Sequence, residues 1–178
     1  MTSKFTNTNT KAAGFSIIEV IAVTLIISIG LVGMLSLTWQ SIKVLGINRG
    51  NLIASQLAQE GIELVRNTRD TDWLTGVGGG WDCSSPCYYL VDYKHPELTP
   101  TGAGVDGNQA KLKLDTDGYY CHASLGDAGC NGADTNFNRV ISITGSSTAS
   151  STVKSWVRYK NGNNFFDYIA ETILYDWR

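Results

Sequence analysis

One carboxylate, that of Glu19, lies inside an apolar run that begins at Phe15 and continues to about Leu37. A helix rises ~1.5 Å per residue, so about 20 apolar residues cross the ~30 Å hydrocarbon core of a bilayer. The run therefore has the length of a membrane span. Because an acid inside such a span costs about 2.5–3.5 kcal/mol on insertion scales, Glu19 needs either a charged partner or a place near the headgroups.

The residues before the apolar run suggest a source for that partner. Residues 1–14 carry two lysines and no acid, and they end in Ala-Ala-Gly. A secretory signal places its apolar segment before the small residues at the cleavage site, and here the order is reversed. Cleavage between Gly14 and Phe15 would remove only the polar leader and create an α-amino group four residues from Glu19. An ammonium and a carboxylate can neutralise each other where either alone is costly.

The segment Gly-Phe-Ser-Ile-Ile-Glu-Val that starts at Gly14 resembles the class III signal of type IV prepilins and pseudopilins. That signal combines a glycine, an aromatic residue, a short apolar stretch and a glutamate with a long apolar helix. The resemblance implies cleavage after Gly14 and N-methylation of Phe15 by a prepilin peptidase. It also implies that Glu19 sets the register between helices in a filament core by pairing with the terminal amine of a neighbouring subunit. The alternative is a plain single-pass anchor.

All four cysteines, Cys83, Cys87, Cys121 and Cys130, lie C-terminal to the apolar run. An even number confined to one side is typical of disulfides in an oxidising, extracytoplasmic compartment. Three pairings are possible, and we favour Cys83–Cys87 with Cys121–Cys130 because each pair encloses a short loop. The alternative is a zinc site completed by His122, but the C-x3-C and C-x8-C spacings do not form the repeated knuckles of zinc modules.

Other residues capable of catalysis or metal binding form no complete motif. His95 and His122 lie in predicted loops, and the chain contains no H-E-x-x-H segment, G-x-S-x-G elbow, P-loop or dinucleotide fingerprint. Asp115-Thr-Asp117-Gly starts like a calcium loop, but its twelfth position is glycine instead of a bidentate Glu. A calcium site using Asp115, Asp117 and Asp127 stays open beside a polar β-turn. We expect no other cofactor and no enzymatic activity.

Charge and composition also limit the classes of partner. The formal net charge of the 178-residue chain is −2, and loss of the two leader lysines makes the side-chain sum −4. Nucleic-acid-binding proteins normally carry clustered Lys and Arg, so we predict no nucleic-acid partner. The length fits one domain together with an anchor.

The helix that carries the apolar run is predicted to continue to a point between Asn67 and Asp72. Apolar residues recur there at helical spacing with polar residues on the other faces. They are Leu52, Ile53, Leu57, Gly61, Ile62 and Val65. Several glycines in the helix indicate either close packing or, as the pilin resemblance allows, local unwinding on entry into a filament. They are Gly30, Gly33, Gly46 and Gly50.

Alternating apolar residues predict several strands. They cover residues 88–93, 111–114, 138–144, 152–159 and 165–175. Asn161-Gly162 predicts a hairpin between the last two, because both residues accept positive φ in a turn. Residues 73–82, 102–108 and 145–152 are predicted connections. The expected fold is α+β, with an antiparallel sheet packed on the C-terminal half of a long helix, and the pilin resemblance implies the same arrangement.

These observations divide the chain into a cleaved leader, a transmembrane or filament-core helix, an amphipathic helix continuation and an extracytoplasmic head with two disulfides. The respective ranges are 1–14, 15–38, 39–70 and 71–178. We expect a structural subunit of a type IV pilus-like filament, similar to minor pilins or pilus-modification proteins. Expected partners are a prepilin peptidase, other pilin subunits and an assembly platform in the membrane.

The expected location follows from the same division of the chain. Before assembly the protein would be a single-pass protein of the cytoplasmic membrane with its head outside, and afterwards part of an extracellular or periplasmic filament. Two alternatives remain. One is a type II secretion pseudopilin, and the other is an uncleaved, membrane-anchored binding module.

Overall fold

The computed structural model describes residues 14–76, 83, 85–126, 130–147 and 150–175. Helix α1 spans Ile17–Thr75, and its residues belong to two compact units, one ending at Val44 and the other beginning at Leu45. In the first unit, the side chains of residues 17–44 are exposed. By length and composition alone, α1 is the one helix in the described part of the chain that meets the requirements of a membrane span.

The second unit contains one antiparallel sheet of seven strands in its described residues. The strands are β1 (Cys87–Leu90), β2 (Thr99–Thr101), β3 (Lys111–Leu114), β4 (Tyr120–His122), β5 (Ala133–Ser147), β6 (Ser150–Asn161) and β7 (Asn164–Tyr175). Strands β5, β6 and β7 pair in order along most of their length. The other side of β5 pairs with β1, which is followed by β2, and with β3, which is followed by β4. The α+β fold expected from the sequence is thus confirmed.

The C-terminal part of α1 packs on this sheet, as the apolar stripe predicted. Its buried residues face the apolar side chains of the long strands. On α1 they are Ala54, Leu57, Ala58, Gly61, Ile62 and Val65, and on β5 and β6 they include Ile141, Ile143, Val153 and Val157. Leu52 is the exception within the predicted stripe, because its side chain is 65% exposed.

Two glycines of α1 mark places where the helix approaches β6 closely. A Cβ atom on Gly50 would lie 2.7 Å from Cζ of Tyr159, and one on Gly61 would lie 3.2 Å from Cβ of Ser155. A side chain at either position would have to displace its neighbour. Gly50 therefore fits close packing, whereas added Cβ atoms on Gly30 and Gly33 would meet open space. Local unwinding on filament entry stays a prediction.

The helix ends later than the sequence indicated, at Thr75 instead of between residues 67 and 72. The hydroxyls of Thr71 and Thr75 donate to the carbonyls of Asn67 and Thr71, at 2.8 and 2.9 Å, so these polar residues stay in the helix. Gly76 follows with φ 71°, the left-handed conformation that commonly terminates helices. The predicted connection at 73–82 therefore begins later, and residues 77–82 lie outside the described part.

The strand boundaries also differ from those predicted. The first strand ends at Leu90 instead of residue 93, because the Asp92 carboxylate accepts hydrogen bonds from the backbone N–H groups of Lys94 and His95 and closes a turn. Strand β5 is longer than its predicted range of 138–144. The short strands β2 and β4 were not predicted.

The last hairpin turns one residue later than expected. Asn161 pairs with Asn164, so Gly162 and Asn163 occupy the turn, and Gly162 has φ 62°. Asn161 is part of β6 instead of a turn position. Two turn types suit a two-residue hairpin, and one of them favours glycine at the first central position.

Candidate functional site

The three residues for which processing and register are predicted lie just before α1 or in its first turn. Gly14, Phe15 and Ser16 precede the helix, which begins at Ile17. The Ser16 carbonyl accepts hydrogen bonds from the backbone N–H groups of Glu19 and Val20, at 3.0 and 3.3 Å. Glu19 thus lies in the first turn, where a negative charge interacts favourably with the helix dipole.

Glu19 is surrounded by exposed apolar side chains. Phe15 is 83% exposed, and Ile17, Ile18 and Val20 are exposed as well. Within the described residues, no hydrogen bond or ion pair engages the Glu19 carboxylate. Phe15 lies two residues before the start of α1 and four residues before Glu19 in the chain. The geometry is therefore that of a single acid on an apolar surface, four residues along the chain from the residue whose amine cleavage would free.

The apolar surface extends along the first unit. Its exposed large side chains between residues 21 and 44 are Ile21, Val23, Leu25, Ile26, Ile27, Ile29, Leu31, Val32, Met34, Leu35, Leu37, Trp39, Ile42 and Val44. Soluble monomers rarely expose apolar patches larger than a few hundred Å2, so a surface of this kind marks an interaction with lipid or protein. Hydroxyls in the segment are turned back to the helix: Thr24 donates to the Ile21 carbonyl and Ser28 to the Thr24 carbonyl, at 2.9 and 2.7 Å.

All four cysteines form disulfides, and the pairing is the one favoured from loop length. Cys83 is joined to Cys87 and Cys121 to Cys130. The zinc site considered for these residues is therefore not formed, because no thiolate is free to bind the metal. His122 lies in β4, not in a loop as predicted, and its side chain is buried.

A buried polar cluster centred on Arg139 was not predicted from the sequence. Arg139 extends from β5 into the interior and is fully buried. Its guanidinium donates to the carbonyl oxygens of Leu57 on α1 and Val91 after β1, at 3.1 and 2.8 Å. The Glu60 carboxylate lies 3.4 Å from the same guanidinium. One side chain thus connects helix, sheet and loop.

Asp92 and His122 complete the cluster. The Asp92 carboxylate accepts a hydrogen bond from the backbone N–H of His122 at 2.8 Å, and Nε2 of the His122 ring lies 3.1 Å from the Arg139 carbonyl oxygen. Burial acts to raise the pKa of Asp92, but the bonds from His122 and His95 outweigh it and hold that pKa well below its usual range. Burial lowers the pKa of His122, so the ring is neutral in the folded protein near pH 7. These groups stabilise the head, and their burial makes them inaccessible to a substrate.

The calcium candidate Asp115 has other partners. Its carboxylate accepts a hydrogen bond from the Tyr93 hydroxyl and forms an ion pair with the Lys94 ammonium, both at 2.7 Å. The Lys94 contact, followed by that of Tyr93, holds the pKa of Asp115 well below its usual range. A Ca2+ ion would have to displace this ammonium. The described residues contain no group of three candidate metal ligands, so Asp115 and Asp117 have no third ligand among them, and Asp127 lies outside these residues.

Fold and site together define a class of protein: an α+β protein whose N-terminal helix has the length of a membrane span and whose head is stabilised by two disulfides. Comparisons with protein-family models, with curated proteins and with solved structures give no match for this chain.

Proposed function

We propose that this protein is a structural subunit of a type IV pilus-like filament, similar to a minor pilin. A prepilin peptidase would cleave it after Gly14 and methylate Phe15, and the mature protein would assemble through its N-terminal helix. Before assembly, this helix would hold the protein in the cytoplasmic membrane with the disulfide-containing head on the extracytoplasmic side.

The observation that carries the proposal is the position of Glu19. The acid lies in the first turn of an exposed, apolar helix and four residues after Phe15, the predicted new N-terminus. A membrane anchor needs only length and hydrophobicity, and an acid makes its insertion less favourable. A filament core gives the acid a use, because the amine of a neighbouring subunit can neutralise it.

Burial of the exposed side chains would drive assembly. Apolar surface transferred from water gains ~25 cal/mol per Å2, and less when it is transferred from lipid, because lipid tails are already apolar. Apolar packing alone accepts many alignments of neighbouring helices. An unpaired Glu19 in a low-dielectric core is costly, so pairing with the amine would select one alignment.

The first test concerns processing. Mass spectrometry of the protein purified from its native host should find an N-terminal methylated Phe15, with residues 1–14 absent. A functional protein that keeps Met1 would contradict the proposal and favour the uncleaved binding module.

The second test concerns the register. Glu19→Ala and Glu19→Gln should each lower the amount of subunit in sheared filaments at least about tenfold, because they remove the charge that pairs with the amine. Membrane insertion should be unchanged or improved. Ile18→Ala is the matched control, since it shortens the adjacent exposed side chain and removes no charge. Wild-type amounts of filament with both Glu19 variants would refute the register role.

The pseudopilin alternative shares the segment and requires a cellular test. Deletion of the gene should reduce surface filaments and leave protein secretion unchanged. Loss of secretion with intact filaments would assign the subunit to a type II secretion system.

A further inference from the structure

A groove opens on the face of the sheet that lies away from α1. Along β6, Val157 and Tyr159 belong to the core under the helix, so the alternating residues Arg158 and Lys160 lie on the other face. The groove has a volume of about 220 Å3. It is lined by Lys111, Thr135, Asn136, Asn138, Arg158, Tyr159, Lys160 and Phe165.

Among the described residues, the lining contains three cationic side chains and no carboxylate. Two of the cations are anchored by acids at the margin: Lys111 pairs with Asp134 at 2.7 Å, and Arg158 pairs with Asp167 at 2.6 Å. These contacts fix the two side chains but leave part of their N–H groups unused, since lysine has three donors and arginine five.

Lys160 carries the positive charge that no described carboxylate at the edge of the groove neutralises. Its ammonium lies 5.8 Å from the centre of the Phe165 ring, and within the described residues no carboxylate forms an ion pair with it. Around the groove, four cations and three carboxylates of the described residues leave one net positive charge. They are Lys111, Lys113, Arg158 and Lys160, and Asp106, Asp134 and Asp167.

The remaining groups suit the ring of a sugar. Phe165 is 64% exposed and presents an apolar face beside Lys160. Asn138 donates through its side-chain amide to the Val105 carbonyl at 2.8 Å, which orients the amide and leaves its oxygen as an acceptor. The Thr135 hydroxyl, in contrast, is already paired, because it donates to the Leu112 carbonyl and accepts from the Phe137 backbone N–H. A fixed amide acceptor next to an exposed aromatic ring can bind hydroxyls and C–H groups of one small ring.

We propose that this groove binds a single carboxylate-bearing sugar unit of a surface glycan. Its carboxylate would contact Lys160, its ring would lie on Phe165, and its hydroxyls would bind the amides of Asn136 and Asn138. The volume of about 220 Å3 is below the ~300–1,000 Å3 of sites for larger ligands, so one ring fits better than an extended oligomer.

The charge distribution argues against a nucleic acid in the same groove. Single strands bind along a continuous basic track with successive aromatic platforms. Here Asp106, Asp134 and Asp167 interrupt such a track. In the described part of the lining, Phe165 is the one aromatic ring besides the buried Tyr159.

The test is a titration of the full-length protein in detergent micelles with a disaccharide that ends in glucuronate. A disaccharide that ends in glucose and a short single-stranded DNA serve as comparison ligands. The glucuronate ligand should bind at least about tenfold more tightly than the glucose ligand, since the latter lacks the charge-assisted bond to Lys160. Equal affinity for both sugars, or tighter binding of the DNA, would overturn the proposal.

Two variants with matched controls locate the site. Lys160→Gln should weaken glucuronate binding about tenfold, and Lys160→Arg should keep most of it. Lys154→Gln is the control, because Lys154 lies on the same face and pairs with Glu171 at 3.3 Å but does not line the groove. Its effect should stay below about twofold.

Phe165→Ala should weaken binding about fivefold, whereas Ile173→Ala, an exposed apolar position on the same strand, should change it less than twofold. Unchanged melting temperatures would show that the variants remain folded. Equal effects of Lys160→Gln and Lys154→Gln would refute the assignment. Binding is measured on unassembled protein, so the result does not depend on the proposed filament.

Discussion

Replacement of the buried Arg139 by methionine should be among the most damaging single changes in the head. Arg139 has no exposed surface, and its guanidinium donates to the Leu57 and Val91 carbonyls at 3.1 and 2.8 Å. Each hydrogen bond to a charged group contributes about 1.5–3 kcal/mol. Methionine fills much of the volume but cannot donate, so both carbonyls, together with Glu60, lose their partner.

The expected loss of unfolding free energy is about 3–6 kcal/mol, because two buried carbonyls each lose a hydrogen bond from a charged donor worth about 1.5–3 kcal/mol. Denaturant unfolding of the purified full-length protein, with disulfides intact, measures it. Arg158→Met is the matched control, because Arg158 makes ion pairs with Asp106 and Asp167 at the surface and should cost at most about 1 kcal/mol.

Two results would refute this reasoning. An Arg139→Met protein within about 1 kcal/mol of wild type would mean that the cluster contributes little to stability. Equal losses for Arg139→Met and Arg158→Met would mean that burial does not distinguish the two arginines.

Two further predictions concern the second unit. Gly46→Ala should raise the unfolding free energy by about 1 kcal/mol through helix propensity, whereas Gly50→Ala should lower it by up to about 2 kcal/mol. The new Cβ at Gly46 would make an ordinary contact at 3.7 Å, but the one at Gly50 would overlap the Tyr159 ring. Chemical denaturation of both variants measures the two effects. The unfolding free energy should also decrease as the pH falls below about 6.5, by at most about 1.4 kcal/mol per pH unit for one proton, because burial lowers the pKa of His122 and the unfolded chain then binds the proton more readily. The depressed pKa of Asp92 adds a further loss at lower pH. In unfolding measurements, His122→Gln should flatten the decline between pH 7.5 and 5.5.

The sequence predicted those parts of the fold that local periodicity determines. The stripe on α1 recurs at helical spacing, and β6 alternates between buried and more exposed side chains, so their residue types report their environment. Strands β2 and β4 have three residues each, which is too short for an alternation to be detected. Their pairing depends on neighbours that are distant in sequence.

The buried cluster had no local signal either. Arg139 lies in a strand where a charged residue normally indicates the solvent-facing side. Its burial depends on Leu57, Val91 and His122, which come from three other places in the chain. The groove is similar, because β3, β5, β6 and β7 each contribute to its lining. Gly14, Phe15 and Glu19, in contrast, form one contiguous pattern that can be detected without a structure.

Arg139 and Glu19 show two different solutions to the problem of a charge among apolar groups. The chain supplies the partners of Arg139 itself, through two carbonyls and a carboxylate. Glu19 has no such partner among the described residues and lies on an exposed apolar surface. Removal of the acid would improve the membrane insertion of a helix that served only as an anchor. A helix that aligns with other helices needs a group whose pairing fails in every other alignment. Glu19→Ala therefore separates the two roles: better insertion with full function would indicate an anchor, and better insertion with lost assembly would indicate a filament subunit.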